Sequence, residues 1–203
     1  MQSWDPIWEK IYKENEWGKY PEIPVVVFVA RNFYKFKERS KIRILDLGCG
    51  TGAQLWFLAR EGFAAYGIEG SKTAVDKAKL RIKNDGLNAE IVQGDMINLP
   101  YKDNFFDAII DAASIQHNTP EKIKEIVREI HRTLKKGGKI FSMLVAKDKS
   151  LEEEEFGIIH FFTEDDIKTM FKDFKNLKMD YVEYTENNRD NLHKSWIVSA
   201  EKG

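Results

Sequence analysis

From Lys41 onward, short apolar runs alternate with longer segments of helical period. Ile42–Leu47, Phe63–Ile68, Ala89–Val92, Asp107–Asp111 and Lys139–Val145 each read as a strand, too short for a helix and mostly β-branched or apolar. Between them, Ala53–Arg60 opens a helix after a run of glycines. Ala74, Ala78 and Ile82 recur every fourth residue, and Ile123, Ile126, Val127, Ile130 and Leu134 make one apolar stripe. Strands joined through helices lie parallel, because a parallel partner can be reached only by a crossover. The third helix carries its own punctuation: Thr119 at the N-cap, Pro120 at the first helical position, and Lys135, Lys136, Gly137 and Gly138 at its end.

Beyond the fifth strand the pattern changes. Thr163–Asp166 forms a capping box before a helix over Ile167–Phe174, and two strands follow at about Lys178–Tyr184 and Lys194–Ala200. The segment between them, Thr185–Asn191, is too short for a helical crossover, so they pair as an antiparallel hairpin. Upstream of the first strand, Pro6–Tyr20 and Glu22–Arg39 read as two added helices, rich in Trp4, Trp8, Trp17, Tyr12 and Tyr20. The expected fold is α/β, a seven-stranded and mostly parallel sheet with helices on both faces.

With 203 residues the chain has room for one core. We divide that unit into a helical cap over 1–40, a ligand-binding core over 41–146, and a substrate-side segment with the closing hairpin over 147–203. Its 42% hydrophobic and 32% charged residues are those of a globular protein rather than a disordered or fibrous one. A net charge of −1 lacks the basic excess that drives binding to a phosphate backbone, so nucleic acid is not expected as a partner. Cys49 is the single cysteine, which excludes an internal disulfide and a multi-cysteine metal site. Residues 1–10 hold Asp5, Glu9 and two tryptophans where a secretory signal would have a basic stretch and an apolar run, and the longest apolar run, Pro24–Ala30, is far shorter than a bilayer span of about 20 residues. A cytoplasmic protein, monomeric or homodimeric, with no membrane partner and no metal, is expected.

The sharpest motif is Asp46-Leu47-Gly48-Cys49-Gly50-Thr51-Gly52, at a strand-to-helix turn where glycines let the backbone bend sharply and approach a ligand. A phosphate loop would need Gly-Lys-Ser/Thr, and no lysine is supplied. A dinucleotide loop fits in part: Gly48, Gly50 and Ala53 satisfy its spacing, and Glu69 stands 21 positions after Gly48. Against a pyrophosphate, Asp46 fronts the loop and no Lys or Arg lies between it and Gln54, a setting suited to a ligand with positive groups. S-adenosylmethionine, with a sulfonium and an ammonium group, is such a ligand.

Three segments in chain order carry a family resemblance: Asp46–Gly52, then Gly67-Ile68-Glu69, then Gln93-Gly94-Asp95-Met96 with Leu99-Pro100-Tyr101 and Phe105-Phe106-Asp107 behind it. Through most of Lys41–Gly203 the chain resembles the class I S-adenosylmethionine-dependent methyltransferases. The resemblance implies a Rossmann-like sheet and S-adenosyl-L-methionine as cofactor, leaving as S-adenosyl-L-homocysteine. It also implies cofactor contacts from Asp46, Gly48, Cys49, Gly50 and Gly52, ribose binding by Glu69 with Gly70 and Ser71 beside it, adenine recognition by Asp95 and Met96, and a further contact from Ala112.

Family analogy points the methyl group toward the loop after the fourth strand, Asp111–Asn118. That loop lacks the Pro-Pro-aromatic signature of amino-methylating nucleic-acid enzymes, and the only cysteine lies in the cofactor loop, which excludes covalent cytosine methylation. His117 is a candidate base, since a neutral imidazole can take a proton near pH 7, and His160 a candidate facing it from the other side. Gln116, Tyr12, Trp17 and Tyr20 join them as candidate acceptor contacts, the aromatic residues as a lid whose faces suit a cation. The acidic run Glu152–Glu155 reads as a solvated loop that would favour a cationic acceptor. The expected reaction is methyl transfer to N or O of a small molecule. Methylation of RNA or protein is the alternative, encouraged only by the basic stretch from Lys35 to Arg43. An NAD-dependent oxidoreductase or a non-catalytic binding module stands behind it.

Overall fold

The computed structural model describes residues 4–147, 157–186 and 191–203. Seven strands form one sheet in the order β3-β2-β1-β4-β5-β7-β6. They are β1 (Arg43–Leu47), β2 (Ala64–Glu69), β3 (Glu90–Gln93), β4 (Phe106–Ala112), β5 (Leu134–Val145), β6 (Phe174–Glu186) and β7 (Asn191–Lys202). Strands β1 to β5 pair in parallel, while β7 runs antiparallel to both β5 and β6, so the strand latest in sequence is inserted between two earlier ones. The fold is the Rossmann-like one expected. The connecting helices are α3 (Ala53–Arg60), α4 (Lys72–Asn84) and α5 (Pro120–Thr133), with α6 (Glu164–Met170) ahead of β6 and α1 (Ile7–Glu14) and α2 (Ile23–Phe33) ahead of β1. No helix among the described residues is long and apolar enough to cross a membrane.

Alternation along the central strands sorts side chains onto two faces. On β4, Ile109 joins Leu45, Leu47 and the α5 stripe Ile123, Ile126, Val127 and Ile130 on one side. Its neighbours Ala108 and Ile110 join Ile44, Leu55, Phe141 and the apolar face of α2 on the other. At roughly 1.5–3 kcal/mol for each fully buried aliphatic side chain, the α5 stripe alone explains why that helix docks.

The element ends differ from the sequence expectation in instructive places. Helix α1 stops at Glu14, with the Asn15 amide donating to Ile11 O, and the residues through Glu22 form no regular structure, since Gly18 and Pro21 oppose a helix. Helix α2 ends at Phe33 rather than Arg39. Helix α5 ends at Thr133, and Lys135–Gly138, expected as its terminus, belongs to β5, where Leu134 already pairs with Phe106. Thr119 is extended before α5 but makes no side-chain cap. The Thr163 capping box is present in full: its hydroxyl accepts from Asp166 N, and its N–H donates back to Asp166 Oδ2.

Candidate functional site

Strand order reverses between β1 and β4, and the loops leaving their carboxyl ends meet there, the usual place for a ligand in an open α/β sheet. Ser114 Oγ, in the loop after β4, donates to Gly48 O, in the loop after β1, at 3.1 Å. Above this seam opens a cavity of about 460 Å³, whose wall combines the glycine loop, the ends of β2 and β4, and the segment from Trp4 to Glu22.

The glycines are needed for shape. Gly48, Gly50 and Gly52 have φ of 68°, 50° and 85°. A Cβ on Gly48 would lie 2.4 Å from Ser114 Oγ, and one on Gly50 would lie 2.7 Å from the Tyr12 hydroxyl. Glu69, at the end of β2, lies on the cavity wall, and its carboxylate accepts from Gly50 N at 3.0 Å and Ser71 N at 2.8 Å. It thereby ties the loop to the start of α4. Burial pushes its pKa up against those two bonds.

Asp46 is placed differently from the expectation. It is 2% exposed and lies outside the cavity wall, and its Oδ2 accepts from Leu55 N at 3.0 Å in the first turn of α3. It anchors the helix behind the loop. Burial, aggravated by Glu69 and Asp111, pushes its pKa up to about 8. Asp111, at the end of β4, is likewise buried and pushed up to about 7, while its Oδ1 accepts from Ser114 N and Ile115 N and shapes the loop. Cys49 is on the wall, but burial raises its thiol well above the usual value, so it stays protonated.

Gly70, Met96 and Ala112 reach the wall; Gly52, Ser71 and Asp95 do not. Ser71 is an N-cap, its Oγ accepting from Ala74 N, and Asp95 Oδ1 accepts from Ile97 N in a turn that presents Gly94 and Met96 to the cavity. Gly70 has a reason of its own: the Trp4 ring packs on it so closely that a Cβ would lie 2.5 Å away.

Tyr12, Trp17 and Tyr20 all line the cavity, Tyr12 buried and Tyr20 78% exposed at the rim. Trp8, which sequence reasoning left out of the acceptor contacts, is more central. It packs edge-on against His117 at 4.7 Å between centroids, and against Tyr12 and Trp17 at 5.7 and 5.8 Å. This cap is strapped down by α4. Glu9 accepts from Ser71 Oγ, Thr73 Oγ1 and Thr73 N, which holds its carboxylate down at about 2, and Lys77 Nζ donates to Tyr12 O and Asn15 O. Arg81 adds a bond to Lys19 O.

His117 and Gln116 are both on the wall. His117 Nδ1 lies 3.2 Å from Ile158 O, and a carbonyl can only accept, so Nδ1 carries the proton and Nε2 keeps a lone pair in the neutral ring. Burial lowers its pKa. Gln116 Oε1 accepts from Val145 N, fixing the loop to β5. His160 does not face the cavity. A parallel bridge pairs Phe162 with Ala146, and alternation then turns His160 to the side of Phe162, whose ring it meets edge-on at 4.6 Å, while Ile159 reaches the wall. Its part is played by the backbone, His160 N donating to Gln116 O. The acidic run Glu152–Glu155 lies outside the described residues. Asp5, Glu22, Asn118 and Tyr184 also line the cavity without any local sequence signal.

The wall fits S-adenosylmethionine. Gly48, Gly50 and Gly70 leave no room for a Cβ, a carboxylate stands at the end of β2, and no Lys or Arg occurs among the described lining residues, as a ligand with sulfonium and ammonium charges requires.

Residues 44–138 match the methyltransferase-domain family. An uncharacterized methyltransferase of Synechocystis is 32% identical over 50% of this chain and 46% of its own length. A demethylmenaquinone methyltransferase of Lactobacillus johnsonii is 33% identical over 53% of this chain and 46% of its own. This chain spans about half or less of the length of the first curated relatives it matches. A SAM-dependent methyltransferase of Methanosarcina mazei shares the fold, with a TM-score of 0.67 at 23% identity over 86% of this chain and 96% of that one.

Proposed function

We propose, from the premise that this chain carries a class I S-adenosylmethionine-dependent methyltransferase domain, that the protein transfers a methyl group to nitrogen or oxygen of a small-molecule acceptor. The observation that carries the reading is Glu69, buried at the end of β2 and exposed to the cavity on the side facing the glycine loop.

When bound, S-adenosylmethionine supplies an electrophilic methyl group on a positively charged sulfur. The protein's share is to hold and orient. Glu69 would hold the ribose hydroxyls, Gly48–Gly50 would admit the methionine part, and Met96 would face the adenine. The aromatic cap over Trp8, Tyr12 and Trp17 excludes water and confines the acceptor, and such positioning can supply roughly 7 kcal/mol of the barrier. His117 is the candidate base at Nε2, which faces the Gln116 amide nitrogen at 3.5 Å, and burial disfavours its imidazolium form.

Calorimetry tests the reading. S-adenosylhomocysteine binding in the micromolar range, with no heat from NADH, is the expected outcome. The reverse pattern would assign the site to a nicotinamide cofactor. Screening metabolites for transfer of label from S-adenosylmethionine then finds the acceptor.

A further inference from the structure

Helix α2 is apolar on two sides. Val25, Phe28, Val29 and Phe33 are buried with Ala108, Ile110 and Phe141 of the sheet. Ile23, Val27 and Tyr34 recur at helical spacing on the opposite side and are exposed, Ile23 at 78%. Of the ten exposed large apolar or aromatic side chains among the described residues, six fall between Trp17 and Phe36, so they make a patch rather than an ordinary scatter. A patch of this kind marks an interaction surface. It begins at the rim of the cavity, which Trp17 and Tyr20 also line.

The charges around the patch decide what it meets. The exposed side chains from Trp17 to Lys37 include four basic ones, Lys19, Arg31, Lys35 and Lys37, against Glu22 alone. Just beyond them, Glu38 and Lys41 pair with each other. The excess is local, since the whole chain has a net charge of −1. A second copy docking on the same face would set that excess against itself. A nucleic acid would match the charge but gives the aliphatic Ile23 and Val27 nothing apolar to enter. An anionic lipid surface answers both, its headgroups meeting the basic side chains and its acyl boundary taking the apolar ones.

We propose that the exposed face of α2, with Tyr20 ahead of it and Phe36 behind, docks on an anionic membrane surface. Lying on a membrane, unlike crossing one, needs no spanning helix, only side chains that reach about 5–10 Å into the boundary between headgroups and acyl chains. Docking sets the mouth of the cavity at that surface, because Trp17 and Tyr20 belong to both.

Sedimentation of the full chain with lipid vesicles tests this. Vesicles of phosphatidylcholine and phosphatidylserine in equal parts are expected to bind it roughly tenfold more tightly than phosphatidylcholine alone, and raising salt from about 0.1 M to about 0.5 M should remove most of that difference. Ile23→Asp with Val27→Asp should weaken binding roughly tenfold or more, and Arg31→Glu with Lys35→Glu should do so on the anionic vesicles. Lys124→Glu with Arg128→Glu makes the same change of charge at exposed positions of α5, on the other face of the sheet, and should leave binding unchanged. All the altered side chains are exposed, and an unchanged thermal midpoint checks that each variant folds. No binding to either vesicle, binding indifferent to phosphatidylserine, or an equal loss in the α5 variant would overturn the proposal. A dimer in solution that Ile23→Asp with Val27→Asp dissolves, with no vesicle binding, would overturn it in favour of a second copy.

Discussion

Glu69 accepts two backbone bonds at once, and these connect the glycine loop to α4. Glu69→Ala is therefore expected to weaken S-adenosylhomocysteine binding by about 1.5–3 kcal/mol, the scale of hydrogen bonds to a charged group, and calorimetry would read it. His117 makes a second prediction. Because burial lowers its pKa, transfer that uses it as base should rise with pH through an inflection below the usual histidine value of about 6.5. In His117→Gln that inflection should vanish from the pH profile of kcat, while binding of S-adenosylhomocysteine persists. The residues of the loop could be read in advance because a positive φ and a missing Cβ are written in the residue type itself. Trp8 could not, since its importance comes from what another part of the chain brings alongside. Asp46 was legible as important but not in its role: a buried acid before a glycine loop serves equally to face a ligand or to hold the following helix, and here Leu55 N takes it.

At the level of elements, the α4 strap governs the cap. Glu9 caps the start of α4 from another helix, and Lys77 binds carbonyls at the end of α1. Glu9→Gln keeps the shape but removes the charge, and should loosen α1 by about 1 kcal/mol, the usual worth of a capping bond. Amide hydrogen exchange over residues 7–14 should quicken while β1 and β4 stay protected. Gly50→Ala should also disturb the cap, since its methyl would run into the Tyr12 hydroxyl; adding Tyr12→Phe should restore part of the lost S-adenosylhomocysteine affinity. Periodicity made the strands and the α5 stripe readable, because burial on a sheet face or helix stripe imposes its own spacing. The ends of α1 and α2 escaped it: aromatic and apolar residues continue past Glu14 and Phe33, but they pack over the cavity or meet solvent rather than extend a helix. The start of β5 escaped for a related reason, since Lys135–Gly138 has helix-ending chemistry and falls in the irregularity between the Phe106–Leu134 and Ala108–Lys139 pairs, with Gly137 at a positive φ.

For the whole molecule, the carboxylates at the ends of β1, β2 and β4 lie buried, with no Lys or Arg hydrogen-bonded to them among the described residues. Asp46 and Asp111 are raised to about 8 and about 7, and Glu69 is raised as well. An acid whose folded pKa exceeds its unfolded one keeps a proton that the unfolded chain would release. Its stabilising contribution is full below about pH 4 and is lost as pH climbs through the folded value. The urea midpoint of the ligand-free protein should thus fall from about pH 5 to about pH 8. The Asp46→Asn, Asp111→Asn double variant should flatten that fall, and a midpoint rising over the same range would contradict it.

The position of β7 also has a bearing on how the chain is made. A ribosome delivers β5 and β6 before the strand that must sit between them, so until β7 emerges β5 keeps one row of N–H and C=O groups open from Lys139 to Val145. A nascent chain paused there offers a ready template for another strand. Premature termination there would be expected to yield an aggregation-prone product.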